Sequence, residues 1–463
     1  MVKSMQKSML NRGLKNRHIQ FIALGGSIGT GLFLGVGQTI KIAGPAVLLG
    51  YAIAGFFAFI IMRQLGEMIV EEPVAGSFSY FANKYWGNFA GFLSGWNYWF
   101  MFILVGMTEL TAIGIYIQYW WPNLPTWVPA AIAFFLINTI NFANVRLYGE
   151  TEYWLSIIKI VAVVCMIIFG LYLLLNEKDQ DQDQDQDQAI LANLWQHGGF
   201  MPNGFSGLFM SMATIMFSFG GLEAIGVTAA EATNPQVILP KAIKQIIYRI
   251  IIFYIFSLFI LLSLFPWKNI VDGISPFVLV FHDLNSYWVS NVLNIVVLIA
   301  ALSVYNSGVY CNSRILYGLA KQGNAPQLLS QTNRYNAPIV SIAFSALITS
   351  IGILLNYILP DKVFEILMSL VVTTLVINWF MICLSHMKFR KQKSKDGTKS
   401  KFKSFWYPFD NYLCLILLSL ILIIIMMIDE IRISVIIMPL WIGFLWISFI
   451  LLNKHKGNNK FKP

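Results

Sequence analysis

Gly25-Gly26-Ser27-Ile28-Gly29-Thr30-Gly31 is the stretch whose reading decides the fold of this chain. It lies inside an apolar run from Ile19 to about Ala43. Four of its seven residues are glycine, each costing a helix interior about 1 kcal/mol relative to alanine. The flanks nonetheless have the composition of a membrane helix. A helix that breaks at bilayer depth bares amides and carbonyls, which lipid tolerates only where protein or a bound ligand satisfies them. The half-helix that starts after a break presents free N–H groups and the positive end of its dipole, which suits a carboxylate. Carbonyls ending the half before it suit an ammonium group or a cation. Read this way, the stretch is a site for a zwitterion. Read the other way, its glycines form a small-residue face for a neighbouring helix. The stretch alone leaves both open.

Working outward, the 463 residues are 57% hydrophobic and 12% charged. Soluble domains carry about 25% charged residues, so the composition is that of a polytopic membrane protein. The apolar run after the basic segment Lys3, Lys7, Arg12, Lys15 and Arg17 is too long for a signal-peptide core, and the first span is expected to be retained. Cys165, Cys311, Cys383 and Cys414 lie in or beside apolar segments without paired spacing, as small hydrophobes do. A net charge of +10 would suggest a nucleic-acid partner in a soluble protein; here it fits basic loops, and no nucleic acid is implied.

Apolar runs long enough to cross a bilayer, about 20 residues each, fall near 19–43, 45–70, 87–117, 127–145, 152–175, 204–230, 244–265, 286–316, 337–358, 362–387, 408–427 and 431–452. Twelve spans place both termini on one side. With that side cytoplasmic, inside segments hold 25 lysines and arginines, and outside loops hold Lys41, Lys178, Lys268, Lys362 and Arg432. The positive-inside rule therefore sets both ends inside. The Lys-rich segment 388–403 and the tail read as solvated cytoplasmic chain, with membrane lipid as a secondary partner. Five Asp-Gln repeats, residues 179–188, read as a low-complexity solvated linker in an outside loop.

The spans divide as five, five and two. The expected organisation is a cytoplasmic N-terminus (1–18), a first five-helix repeat (19–175), a periplasmic loop with the Asp-Gln tract (176–203) and a second repeat (204–387). A basic cytoplasmic loop (388–407), helices 11 and 12 (408–452) and a cytoplasmic tail (453–463) complete it. The sixth span, at the position matching the first, contains Phe217-Ser218-Phe219-Gly220-Gly221-Leu222-Glu223. Two interrupted helices at matching positions point to inverted repeats with a site at the bilayer midplane. That pairing favours the broken-helix reading of the first stretch. The expected fold is therefore an all-α integral membrane protein with broken helices 1 and 6.

An ionisable side chain at the centre of a membrane helix costs about 2.5–3.5 kcal/mol on insertion scales and needs a reason. Lys159 lies a third of the way into the fifth span. It is a candidate proton-coupling site; the alternative is an ammonium that pins two helices. Glu223, at the second break, and Glu109, in the third span, can face a substrate ammonium or relay a proton, or serve as partners for unwound backbone. Arg63 and Glu67 are spaced for an i,i+4 ion pair. Glu71, Glu72, Glu150, Glu152 and Glu231 lie at inner helix ends, where gating contacts are one reading and solvated faces the commoner one. Aromatic residues crowd the third span, and Phe102 sits deep enough to line a pocket or to pack in an apolar core. No nucleotide loop, nucleophile elbow or His/Cys ligand spacing occurs, so neither an enzyme, a cofactor nor a metal site is implied. A pump would need a nucleotide-binding domain, and no soluble stretch is large enough for one.

At this point the motifs resemble a known family. Arg12-Gly13-Leu14-Lys15-Asn16-Arg17-His18-Ile19-Gln20, the first break, Gly66-Glu67-Met68 and Glu72-Pro73-Val74-Ala75-Gly76-Ser77-Phe78 are similar to bacterial amino acid permeases. So are Gly95-Trp96-Asn97-Tyr98-Trp99, Phe217 to Glu223, Ala229-Ala230-Glu231-Ala232, Ser303 to Tyr310 and Gly323-Asn324-Ala325-Pro326. The family belongs to the amino acid–polyamine–organocation superfamily, and the resemblance runs over about residues 12–450. Asn144 to Glu150 and Tyr407-Pro408-Phe409 resemble its aromatic branch, the phenylalanine-specific permeases most of all. The resemblance implies import of L-phenylalanine, with tyrosine a second substrate, across the bacterial inner membrane together with protons. It implies that the substrate carboxylate meets N–H groups of Thr30 and Gly31, within Ser27, Ile28, Gly29, Thr30 and Gly31. The ammonium would meet carbonyls of Ser27, Phe217 and Gly220, with Ser218, Phe219 and Glu223 beside them. Phe102, Gly106 and Glu109 would face the substrate side chain, and Lys159 would stand where sodium-coupled relatives bind an ion. Within the aromatic branch, the broad permeases carry tyrosine where this chain has Phe102. A general aromatic permease, another amino acid permease and a membrane nutrient sensor without transport are the alternatives.

Overall fold

A computed structural model gives the fold; it describes residues 28–74, 77–143, 145–176, 191–223, 226, 235–271, 273–283, 287–334, 337–398 and 400–459. Among these the regular elements are helices, without a strand. A π-helical turn, Gly31–Gly35, runs into α1 (Val36–Ala43), followed by α2 (Val47–Glu71), α3 (Ser77–Trp86), α4 (Asn88–Gln118), α5 (Trp127–Ala143) and α6 (Val145–Asn176). Next come α7 (Gly204–Ile215) with a 3-10 turn at Met216–Phe219, then α8 (Pro235–Arg249), a second π-helical turn (Ile250–Phe256) and α9 (Ser257–Leu264). The chain continues through α10 (Pro276–Asp283), α11 (Tyr287–Lys321), α12 (Ile339–Ile358), α13 (Val363–Lys395), α14 (Phe409–Met427) and α15 (Ile433–Asn459).

Among the described residues nine helical stretches are long and apolar enough to cross a membrane, and Trp127–Ala143 and Gly204–Phe219 are shorter apolar helices. The first of the nine, Gly31–Glu71, turns sharply at Gly44, whose φ is 61° and ψ −145°. A β-carbon at Gly44 would also lie 2.4 Å from Pro202 Cγ, so both conformation and space demand glycine there.

Two helices show how sequence sets position. In α4 apolar residues run round the whole circumference, and the helix is buried among α3, α5, α11, α12 and α13. In α6 the two faces differ. Trp154, Ile158, Val161, Ile168, Tyr172 and Leu175, three, four or seven residues apart, form an exposed apolar stripe that fits lipid. Glu152, Ser156, Lys159, Val163 and Ile167 recur at the same helical spacing on the other side, and all are buried.

Several expectations about charges are corrected. Arg63 and Glu67 do not form the pair their spacing suggests. The Arg63 Nε donates to the Lys403 carbonyl at 2.8 Å, and its guanidinium lies over the rings of Phe402 and Phe405. Glu67 is buried, 3.0 Å from His386 Nε2, 3.2 Å from an Arg390 nitrogen, and accepts the Ser404 N–H at 2.6 Å. The reason is geometric: Glu67 faces neighbouring elements that offer it three donors, and a buried carboxylate must be paired. Glu71 takes Lys393 Nζ and the Lys401 N–H, each at 2.7 Å, while Glu72 accepts from Tyr80 and Lys84. The Lys-rich segment is therefore bonded to α2 rather than merely solvated, and α13 runs on to Lys395 rather than ending near 387. Glu152 is also not on a solvated face; its surroundings are described below. The four cysteines are free thiols, with Cys165 exposed.

Candidate functional site

The two interrupted segments meet. A β-carbon added to Gly31 would lie 2.8 Å from Ser218 Cα, 2.9 Å from Ser218 Oγ and 3.1 Å from Phe217 Cδ1. Glycine at 31 is therefore what lets the first break touch the second. The second segment is fixed from behind: the Tyr51 hydroxyl lies 3.0 Å from Ser218 Oγ, and the Tyr254 hydroxyl donates to the Ser218 carbonyl at 3.0 Å. Those two rings stack on each other, 5.6 Å apart, and both pack against Phe219.

Each segment shows one side of its break. At the first, the backbone turns into helix at Gly31, and the N–H groups of Leu32 and Phe33 both reach the Gly29 carbonyl, at 3.1 and 3.4 Å. Gly29 is tight as well, since a β-carbon there would lie 2.8 Å from Val304 Cγ2 and 3.3 Å from Glu109 Oε1. The hydroxyl of Thr30 donates to the Glu109 carboxylate. A carboxylate thus already sits beside the segment that the family resemblance assigns to a substrate carboxylate. Ser27, Gly25 and Gly26 lie outside the described residues.

At the second, helix ends in the turn Met216–Phe219, and the chain leaves at Gly220 with φ −59° and ψ 136°. Gly221 follows at φ 93°, a conformation that side chains resist. Glu223 comes next, fully buried, with Oε2 3.4 Å from the Trp379 indole nitrogen and Oε1 without a hydrogen-bond partner. A buried carboxylate so thinly partnered is costly as structure alone.

Phe102 is buried on α4, edge-to-face with Tyr98 at 4.9 Å, and lies 3.9 Å from where a β-carbon of Gly308 would be. One helical turn on, Gly106 admits the ring of Tyr305, whose Cε2 would lie 3.2 Å from a β-carbon. Phe102, Gly106 and Glu109 thus share a face of α4, at spacings of four and three residues. An open cleft of about 320 Å³ runs between α1, α7, α13 and the α14–α15 turn. Gln38, Lys41, Thr214, Glu365, Met368 and Glu430 are among its walls. Met368, in the wall of this cleft, also packs on the first interrupted helix, its sulfur 3.5 Å from the place of a Gly35 β-carbon.

Lys159 is fully buried, and its Nζ donates to Ser303 Oγ at 2.9 Å. The carboxylates of Glu152 and Glu109 both act on it electrostatically. Glu152 is the residue that sequence reading missed. Its signal was present: Glu152, Ser156, Lys159 and Val163 stand at spacings of four, three and four, one face of a helix. Among the described residues no cluster of histidine, cysteine, aspartate and glutamate has the grouping of a metal site.

An all-helical bundle with long apolar helices, and with buried charges gathered where two interrupted helices touch, defines a class of membrane transport protein. The comparisons make the assignment specific. The family model for amino acid permeases matches residues 18–460, and the chain belongs to that family. It is 60% identical over 410 residues to the aromatic amino acid transport protein AroP of Escherichia coli (strain K12), covering 89% of this chain and 88% of the relative. The protein of the same name in Salmonella typhimurium (strain LT2) is 59% identical over the same length, with the same shares covered. The amino-acid permease AapA of Bacillus subtilis (strain 168) is 42% identical over 414 residues, 89% of each chain. The chain is accordingly a multi-pass transporter and not an enzyme.

Proposed function

We propose that this protein imports aromatic amino acids, L-phenylalanine foremost, across the bacterial inner membrane in symport with protons. The observation that carries the reading is the contact of Gly31 with Phe217 and Ser218. It brings a helix start and a helix end together, which suits the two charges of one zwitterion. Thr30 and Gly31 take the carboxylate, and Glu109, which holds the Thr30 hydroxyl here, yields that position when substrate binds. The carbonyls of Ser27, Phe217 and Gly220 take the ammonium, with Glu223 beside them. Phe102 and Gly106 form the wall for the side chain. The aromatic class is supported by the relatives named for aromatic amino acid transport. Preference for phenylalanine is supported by the apolar side chain at position 102.

The architecture that goes with this function has twelve spans in two inverted repeats of five and a final pair. The turn at Gly44 supports counting Gly31–Glu71 as two spans, and the two shorter helices supply one each. Both termini are cytoplasmic in this reading, as the distribution of basic residues requires, and the cleft above Met368 opens outward. Lys159 and Glu223 are the coupling groups.

Uptake of radiolabelled phenylalanine into vesicles containing the purified protein, under an imposed pH gradient, tests the proposal. Accumulation that collapses when the gradient is dissipated is the expected result. Folded protein that moves no phenylalanine would sink it and leave the sensor reading.

A further inference from the structure

The face of α6 that carries Lys159 holds a second ionisable group. Glu152 lies two helical turns away, fully buried, with one hydroxyl between the two. Lys159 Nζ donates to Ser303 Oγ at 2.9 Å, and Ser303 donates to Glu152 Oε1 at 2.5 Å. A pair placed only for stability gains most by direct contact, because attraction falls with distance. A hydroxyl that accepts from one partner while donating to the other is instead the element of a proton relay. The relay is held in place by neutral groups. Asn306 donates to Glu152 Oε2 at 3.1 Å, Asn141 fixes the Asn306 amide at 2.9 Å, and Ser156 lies 3.3 Å from Oε1. The titratable groups facing the pair are Glu109 from α4 and Tyr148 from α6, with Cys311 and Tyr310 of α11 beyond Tyr148.

We infer that Glu152 receives the proton released by Lys159, through the hydroxyl of Ser303. An N–H bond of the ammonium breaks as an O–H bond forms on Ser303 Oγ. The original Ser303 O–H bond breaks in the same step as its proton joins Glu152 Oε1. The hydroxyl is regenerated, the lysine becomes a neutral amine and the carboxylate a carboxylic acid. Charge is conserved, and two buried charges are replaced by two neutral groups, which a low-dielectric interior favours. Glu152 thereby holds the proton nearer the Val145 end of α6 than Lys159 does, the cytoplasmic end in the orientation proposed above.

The inference rests on Lys159 being the coupling site, so the experiment carries Lys159→Met beside the relay variants. Purified full-length proteins in vesicles are assayed for accumulation of labelled phenylalanine driven by a pH gradient, and for counterflow exchange without one. Ser303→Ala and Glu152→Gln should lower the rate of gradient-driven accumulation about a hundredfold or more, the scale of a lost proton-transfer group, and lower counterflow much less. Ser303→Thr, which keeps the hydroxyl, should recover most of the accumulation. If Glu152→Gln does not fold, the alanine and threonine variants at 303 decide the matter. Wild-type accumulation in Ser303→Ala, with Lys159→Met inactive, would overturn the relay and leave the coupling site standing. Equal loss of both transport modes in folded Ser303→Ala and Glu152→Gln would overturn it in favour of a structural role. Normal accumulation in Lys159→Met would remove the coupling site and the relay together.

Discussion

The two breaks solve one problem with different means. At the first, the limit is space: Gly31 faces the backbone of Ser218, and there is no room for a β-carbon. At the second, the limit is conformation: Gly221 sits at φ 93°, yet a β-carbon there would meet nothing within 4 Å. The polar consequences differ as well. The first break binds the Glu109 carboxylate by the Thr30 hydroxyl, whereas the second leaves the Glu223 carboxylate with one long bond and an oxygen without a hydrogen-bond partner. Glycine in a membrane helix therefore has two distinct uses, close approach and an unusual turn, and a glycine count cannot tell them apart.

The strongest way to test this difference is to fill the space at Gly31. Gly31→Leu should abolish phenylalanine binding while the protein still inserts and folds, because the side chain must displace Phe217 and Ser218 or occupy the substrate's place. Gly31→Ala should already weaken binding, since even one carbon would lie under 3 Å from Ser218 Cα. Binding by scintillation proximity on purified protein reads both. Normal affinity in the leucine variant would mean that the carboxylate is held elsewhere and that the contact between the breaks is only packing.

Next in size is the buried charge of Lys159, which interacts with Glu109 beside the first break. Lys159→Met should lose concentrative uptake driven by a pH gradient, because no titratable group remains at that position. Counterflow should persist in part, since exchange needs no net proton movement. A methionine variant that concentrates phenylalanine with the wild-type pH dependence would shift the proton site to Glu223 or Glu109.

A smaller effect is expected at the second break. Gly221→Ala has room but must hold a left-handed conformation, at a cost of about 1–2 kcal/mol. If that cost falls on the transport-competent state, uptake drops by roughly tenfold, at 1.4 kcal/mol per tenfold. Gly221→Asn, a residue better tolerated at positive φ, should lose less than the alanine variant. Equal and complete loss in both would mean that space, not conformation, limits the second break too, and the contrast between the breaks would fail.

Much of this was legible in the chain. The apolar runs, the two glycine interruptions and the lone membrane lysine are local signals, written in composition and spacing. The contact between Gly31 and Ser218 was not, because it joins residues 187 positions apart and depends on how the helices pack. Partners of charged residues were read least well. A spacing of four makes Arg63 and Glu67 look like a close pair, but Arg63 bonds the Lys403 carbonyl and Glu67 sits against His386 and Arg390, all off α2. Its position near a helix end points Glu152 to a solvated face. Whether such an end is wet depends on α11, whose Ser303 and Asn306 cover it. Helix faces can be read from spacing, but the occupant of the opposite face cannot.

The smallest expected effect concerns Phe102, proposed above as part of the wall for the substrate side chain. Phe102 presents a buried ring with no hydrogen-bonding group, which suits a benzyl side chain. An indole N–H buried without a partner costs about 1–3 kcal/mol. That corresponds to roughly ten- to a hundred-fold discrimination against tryptophan, at 1.4 kcal/mol per tenfold. Phenylalanine should therefore compete well for uptake of the labelled substrate, tyrosine less well and tryptophan poorly. Phe102→Tyr adds one hydroxyl with little volume and should narrow the gap for tryptophan by about two- to tenfold, the worth of one hydrogen bond of about 0.5–1.5 kcal/mol. The structure also supplies a rival partner, since the Tyr98 hydroxyl is buried without a hydrogen bond, one turn from Phe102. Inhibition by each unlabelled amino acid should therefore be compared in wild type, Phe102→Tyr and Tyr98→Phe. If tryptophan competes equally in the wild type and loses ground only in Tyr98→Phe, the indole is held by Tyr98. Position 102 then does not set selectivity, and the protein is a general aromatic permease.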